Sequence, residues 1–140
     1  MPAITGEVIA TLTVTDPSRS GDWYRDLLGM HEESRHVQSD GHVGQVCLIE
    51  RRSGLRLCLV DHASSNSDPF DERRTGLDHL EFLVDSRDEL TAWVGRLDEL
   101  AIINSGVKEP SYTSNAMITF RDPDNIQLEF FWLAPVTPPD

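Results

Sequence analysis

The chain repeats itself at half its length. Moved along by 70 residues, Ile9-Ala10-Thr11-Leu12-Thr13-Val14-Thr15-Asp16 lies over His79-Leu80-Glu81-Phe82-Leu83-Val84-Asp85-Ser86, Trp23 over Trp93 and Leu27 over Leu97. A displacement of 71 brings Ser53-Gly54-Leu55-Arg56-Leu57-Cys58-Leu59 over Asp124-Asn125-Ile126-Gln127-Leu128-Glu129-Phe130. Few residues are identical, but the apolar positions keep their phase, as expected of a duplicated structural unit. A chain of 140 residues is therefore read as two halves of one kind.

Each half has the same local grammar. Leu12 and Val14 alternate with Thr11, Thr13 and Thr15, the period of a half-buried strand. Asp16 and Pro17 then open a helix as N-cap and first residue. Its stripe is Ser20, Trp23, Tyr24, Leu27 and Leu28, and Gly29 suits the position after its end. In the second half Ser86-Arg87-Asp88-Glu89 forms a capping box, followed by Leu90, Trp93, Val94, Leu97 and Leu100 at helical spacing. Three strands follow each helix, at 31–37, 44–50 and 55–61 and at 102–107, 116–121 and 126–132. The turns Arg51-Arg52-Ser53-Gly54 and Asp122-Pro123-Asp124-Asn125 supply preset or left-handed backbone angles.

The fold class is thus α+β, two βαβββ modules. A four-stranded unit with one helix covers one face of its sheet, so two units side by side predict a cupped mixed sheet with helices on the outer face. The first module spans about 6–62 and the second about 76–133. A polar connection, 63–75, joins them, and a proline-rich tail, 134–140, is expected to be extended.

Strand alternation assigns the faces. With Leu12, Val14, Leu57, Leu59, Leu80, Phe82, Val84, Leu128 and Phe130 under the helices, Ile9, Thr11, Thr13, Arg56, Cys58, Val60 and His62 face the concavity from the first half. His79, Glu81, Leu83, Gln127, Glu129 and Phe131 do so from the second. A face bearing a histidine, two glutamates, an arginine and a glutamine is too polar for plain core, because buried charges must be paired or bound to something. It is the candidate ligand site. Tyr112, in a loop expected to overhang the cavity, is a candidate substrate contact.

Composition narrows the partners. Twelve Lys and Arg against 24 Asp and Glu leave a net charge of -12, which argues against nucleic acid and anionic membranes. No run approaches the roughly 18 apolar residues of a membrane span. The start, Met1 to Glu7, lacks the basic and apolar regions of a signal peptide. Two cysteines, Cys47 and Cys58, do not amount to a disulfide framework. The expectation is a cytoplasmic protein with a small-molecule ligand.

Four segments, Leu12-Thr13-Val14-Thr15-Asp16, Trp23-Tyr24-Arg25-Asp26-Leu27-Leu28-Gly29, Gly76-Leu77-Asp78-His79-Leu80-Glu81-Phe82 and Phe120-Arg121-Asp122-Pro123-Asp124-Asn125-Ile126-Gln127-Leu128-Glu129-Phe130, resemble the vicinal oxygen chelate superfamily. That group holds glyoxalase I, bleomycin-resistance proteins, fosfomycin-resistance enzymes and extradiol dioxygenases. The resemblance implies a cavity on the concave face and, in the metal-binding branches, a divalent cation held from the first and last strands of the modules. The four equivalent positions are Ile9, Cys58, His79 and Glu129. His79 and Glu129 match as metal ligands. Ile9 does not, and Cys58 replaces the usual carboxylate, although a thiolate binds zinc. His62 is a candidate third imidazole.

Two functions stay open at this level. One is a metal-assisted glyoxalase- or dioxygenase-like enzyme, a lyase or isomerase among the options. There the metal acts on a substrate with vicinal oxygens and Glu129 or Glu81 moves the proton. Thr11, Thr13, Arg56, Cys58, His62, Tyr112 and Gln127 would then contact substrate. The other is a metal-free drug- or metabolite-binding protein of the bleomycin-resistance type. A metal-free enzyme using Glu129, Glu81 or His79 is a variant of the first. Sheet edges that need partners, and the habit of relatives, point to a homodimer.

Overall fold

The segment Asp16-Pro17 sets the first turn of the molecule. The Arg19 N–H donates to Asp16 Oδ1 at 3.0 Å, and Pro17 occupies the first helical position, where no N–H is needed. Helix α1 (Pro17–Leu28) ends at Gly29, whose φ of 65° lets its N–H return to the Arg25 carbonyl. A computed structural model of the chain describes residues 1–62 and 68–136. The Ser64-Ser65-Asn66-Ser67 part of the expected connection and the end of the tail lie outside the described residues.

The element order is β1 (Ala10–Thr13), α1, β2 (His31–Val37), β3 (Val43–Ile49), β4 (Arg56–Val60), β5 (Leu80–Leu83), α2 (Arg87–Glu99), β6 (Ala116–Arg121) and β7 (Gln127–Trp132). Contacts divide it into two units, 1–68 and 69–140. The first holds a sheet of order β1-β4-β3-β2, with β1 parallel to β4 and the other pairs antiparallel. The second repeats this order as β5-β7-β6, again with the first strand parallel to the last. The α+β class and the repeated βαβββ unit are thus observed.

The fourth strand expected in the second unit, at 102–107, is reduced to two bridges, Asn104 with Phe120 and Lys108 with Met117. The cause is local. Asn104 Oδ1 accepts the Gly106 N–H at 2.9 Å, and Gly106 adopts φ 66°. A side chain that bonds its own neighbouring backbone offers that backbone an alternative to the ladder.

In the first unit α1 packs on β3 and β4, burying Tyr24 and Leu27 against Val46, Leu48, Leu57 and Leu59. Gly21 permits the approach, since a Cβ there would lie 3.3 Å from Val46 Cγ1. In the second unit Ser86 caps α2 by accepting the Glu89 N–H. Trp93 of α2 stacks on Phe130 of β7 at 4.1 Å and 16°, and Phe120 stacks on the same ring at 5.0 Å. Leu12, Val14, Leu57, Leu59, Leu128 and Phe130 are buried as the alternation predicts.

Two further features bear on function. Cys47 and Cys58, directly opposite on β3 and β4, form a disulfide. This corrects the reading of Cys58 as a free inward thiol or metal-binding thiolate. The alternation places Cys58 properly but is silent on the antiparallel register that sets Cys47 beside it. Residues 69–74 are fastened to the second unit: Phe70 exchanges hydrogen bonds with Asp124 and Asn125, and Glu72 pairs with Arg121 at 2.8 Å. No helix of the described residues is long and apolar enough to cross a membrane.

Phe130→Ala removes the ring on which Trp93 and Phe120 stack, and urea unfolding should show a loss of about 3–5 kcal/mol. A change below about 1 kcal/mol would mean that this stack is not the anchor of the second unit. The hydrogen bond from Arg121 holds the Glu72 carboxyl at about 2, well below its ordinary 4.5. A depressed folded-state pKa stabilises above the unfolded value, and the stabilisation disappears as pH falls through the folded one. Glu72→Gln should therefore flatten part of the stability decline between about pH 4.5 and 2; an identical decline in both proteins would remove Glu72 as its source.

Candidate metal centre

The turn Asp122-Pro123-Asp124-Asn125 delivers β7 in register. Asp122 is buried, and its Oδ1 accepts the N–H groups of Asp124 and Ile126, both at 2.9 Å. Asn125 takes the left-handed φ of 67° that closes the turn. From there β7 runs between β5 and β6, with Glu129 directly opposite Glu81 on one side and Thr119 on the other. Phe130 goes under α2, so Glu129 faces the opposite side of the sheet. It is a buried carboxylate, only 8% exposed, on a central strand.

His79, at the entry to β5, meets it. Its Nε2 lies 2.9 Å from Glu81 Oε1 and 3.8 Å from Glu129 Oε2. Its Nδ1 lies 2.6 Å from Asp78 Oδ1. One donor atom from each of His79, Glu81 and Glu129 falls within 4.8 Å of the others. A ring whose far nitrogen is held by a carboxylate is fixed in orientation, the usual arrangement behind a metal-ligating imidazole. One imidazole and two carboxylates form a mixed nitrogen–oxygen set of the kind that Mn²⁺, Fe²⁺ and Zn²⁺ accept. The residues present therefore fit a divalent cation.

The titration behaviour agrees with a site of concentrated negative charge. Burial lowers the His79 pKa, but the hydrogen bonds to Asp78 and Glu81 and the charges of Glu129 and Glu81 outweigh it, and the net shift is upward from 6.5. Burial pushes the Glu129 carboxyl above 4.5, with Glu81 and Asp78 adding to the rise and His79 and Lys108 opposing it.

The sequence-predicted residues divide accordingly. His79, Glu81 and Glu129 come together. Gln127 sits next to them on β7 and accepts from Arg121 at 3.2 Å. Thr11 and Thr13 belong to the first unit, on β1, with Thr11 opposite Cys58. Arg56 pairs with Glu33 at 3.1 Å, a residue that a bulge between Glu32 and Ser34 re-aims. His62 lies beyond the end of β4 and is outside the cluster. Tyr112 is 87% exposed and Ile9 57% exposed. The residue that completes the three-member cluster is Glu81, two residues from His79 on the same face. Asp78 carries no signal in the strand alternation, which puts neighbours on opposite faces, because residues 78 and 79 precede the strand.

The family model described as the Glyoxalase/Bleomycin resistance protein/Dioxygenase superfamily matches residues 8–130. No curated protein sequence is significantly similar to the chain. Among solved structures, the glyoxylase/bleomycin resistance protein/dioxygenase domain from Frankia sp. EAN1pec is 31% identical with a TM-score of 0.80, over 94% of this chain and 100% of that one. The fosfomycin resistance protein FosX from Listeria monocytogenes, complexed with Mn(II) and sulfate, is 20% identical with a TM-score of 0.68, over 94% and 95%. Lactoylglutathione lyase from Agrobacterium tumefaciens is 20% identical with a TM-score of 0.65, over 94% and 96%. A match across most of the length, carried by a duplicated βαβββ fold, makes this chain a member of the glyoxalase/bleomycin resistance/dioxygenase superfamily.

Proposed function

We propose that the protein is a metal-assisted enzyme acting on a small molecule with vicinal oxygens, in the manner of glyoxalases and dioxygenases. The observation that carries this reading is the convergence of His79, Glu81 and Glu129 within 4.8 Å, with Asp78 behind the imidazole. FosX from Listeria monocytogenes, which shares the fold and is complexed with Mn(II), supports it. His79 Nε2 and the Glu129 carboxylate hold the ion. Once bound, a divalent ion acts as a Lewis acid on substrate oxygens and offers open positions to them. Asp78 keeps the imidazole aimed by accepting its Nδ1 proton. Glu81, on the edge strand and exposed, accepts and returns the substrate proton.

A second reading is favoured by one observation. In the first unit the equivalent positions carry Ile9, which has no donor, and Cys58, whose sulfur is committed to Cys47. A site with ligands from one unit alone also suits a metal-free binding protein of the bleomycin-resistance type. Metal content separates the two.

Protein purified without chelator or affinity tag should bind about one equivalent of Mn²⁺, Fe²⁺, Ni²⁺ or Zn²⁺. At a hundredfold excess over Kd this adds about 2.7 kcal/mol of stability, seen as a rise in Tm. His79→Ala and Glu129→Gln should each abolish the rise. Absence of any rise in the wild type overturns the metal reading in favour of sequestration. Asp78→Ala should leave the fold intact and weaken metal binding by about 10–100-fold; unchanged affinity would show that Asp78 does not position the ring.

A further inference from the structure

Cys47 and Cys58 stand at the centre of the first unit's sheet. One row of paired residues runs across its strands: Thr11 of β1, Cys58 of β4, Cys47 of β3 and Ser34 of β2. Their chain neighbours Leu57, Leu59, Val46 and Leu48 are buried on the side of α1, so the row faces away from that helix. The disulfide joins the two middle members. In the second unit the corresponding row is Glu81, Glu129 and Thr119. The sulfurs therefore occupy the places that carry a carboxylate and a hydroxyl in the other copy.

The bond duplicates a tie that the backbone already makes. Gln45 pairs with Val60 and Val46 with Leu59 on one side of it, Leu48 with Leu57 and Ile49 with Arg56 on the other. The cysteines are only 11 residues apart in the chain, and the stabilisation from closing a loop diminishes as the loop shortens. The two sulfurs also differ. Cys58 is half-buried, whereas Cys47 is buried. The outer members of the row, Thr11 and Ser34, are small and exposed, so neither screens the bond. Gln45 donates from Nε2 to Cys47 Sγ at 3.1 Å. A hydrogen bond to an atom that gains negative charge favours the charged form. Cys58 is thus the sulfur open to attack, and Cys47 is the one prepared to leave.

We propose that the pair of Cys47 and Cys58 is a reversible redox site, opened by a small dithiol and closed again by a small disulfide, and not a structural cross-link. One thiolate of the dithiol attacks Cys58 Sγ. The bond between the two cysteines breaks, and Cys47 leaves as a thiolate whose charge the Gln45 amide holds. The second thiolate of the dithiol then attacks the dithiol sulfur joined to Cys58, which closes a cyclic disulfide and releases the Cys58 thiolate. Two electrons pass to the protein, and the two protons of the dithiol end on the two cysteines. The ladder between β3 and β4 persists, so both forms are folded. Oxidised, the row presents a closed bond; reduced, it presents two adjacent thiols, and the chemistry of this face changes without a change of fold. The site belongs to the first unit and is independent of any metal at His79 and Glu129.

The test treats the full chain with dithiothreitol under native conditions, quenches with iodoacetamide and reads the alkylation of both cysteines by intact mass. Reduction should go to completion at a rate proportional to dithiol concentration, and the reduced protein should keep its far-UV circular dichroism and a cooperative melt. A rate that levels off at the rate of global unfolding, measured separately in urea, overturns the proposal, because the bond then opens only in the unfolded chain. Loss of the folded spectrum on reduction overturns it as well. Cystamine added to the reduced protein should close the bond again; thiols that stay open count against reversibility and sink the idea. Gln45→Met keeps the size of the side chain and loses the donor. It should slow reduction about threefold or more at unchanged Tm, and an unchanged rate removes Cys47 as the leaving sulfur. Cys47→Ala with Cys58→Ala should fold and melt cooperatively; a chain that cannot fold without the bond, in this variant and in the reduced wild type alike, makes the disulfide structural.

Discussion

The second unit depends on a single alternation in β7. Phe130 points under α2, where Trp93, Phe120 and Phe82 surround its ring, and this fixes the rotation of the strand. Because neighbouring residues of a strand face opposite ways, Glu129 is then forced to the other side. Burying that carboxylate costs free energy that only bonding or a cation offsets. The aromatic stack supplies the constraint; the carboxylate tolerates it because His79 and Lys108 lie close enough to act on it. The site is thus a consequence of core packing one residue away, and its rigidity is that of a central strand held on both edges.

The two units share a topology and differ in chemistry at matching places. Glu81 opposes Glu129 in the second, as Thr11 opposes Cys58 in the first. Thr119 opposes Glu129, as Cys47 opposes Cys58. Where the second unit sets an acid beside a hydroxyl, the first sets two sulfurs joined in a bond. Duplication preserves the positions that pack under the helices, since a volume change there is felt by the whole core. Positions on the other face carry no such burden and are free to diverge, one copy towards a cluster of titratable side chains and the other towards a covalent tie across two strands.

The same distinction explains what is legible in the sequence. Leu12, Val14, Leu57, Leu59, Leu128 and Phe130 announce strands and faces because burial imposes a period of two. Asp16-Pro17, Gly29 and Ser86 announce helix ends because their chemistry is local. Glu81, Glu129 and His79 fall on one face by counting alone. What counting misses depends on partners set by tertiary register or by exceptions to regularity. Cys47 meets Cys58 only through the pairing of β3 with β4. Arg56 turns to Glu33 because of a bulge. The strand expected at 102–107 gives way to the side-chain bonds of Asn104, and Lys108, just past that stretch, belongs to no periodic pattern that would mark it. Asp78 reaches His79 from the irregular segment before β5, where alternation does not apply.

The charge of the cluster has a further consequence. Asp78, Glu81 and Glu129 converge on one imidazole, and three carboxylates with one neutral ring are an arrangement that folding alone does not favour. Positive charge must therefore come from somewhere. The carboxylates favour a proton on His79, and against the opposing effect of burial they raise the pKa of that ring. On the proposed metal reading a divalent ion would supply twice as much, held by the same imidazole and the Glu129 carboxylate. Proton and metal would then be alternative occupants of one electrostatic demand, each opposing the other. Glu81 on the exposed edge strand and Glu129 on the buried central strand then sit in different surroundings. The first stays open to solvent, and the second carries its charge where burial makes a neighbouring positive charge matter most.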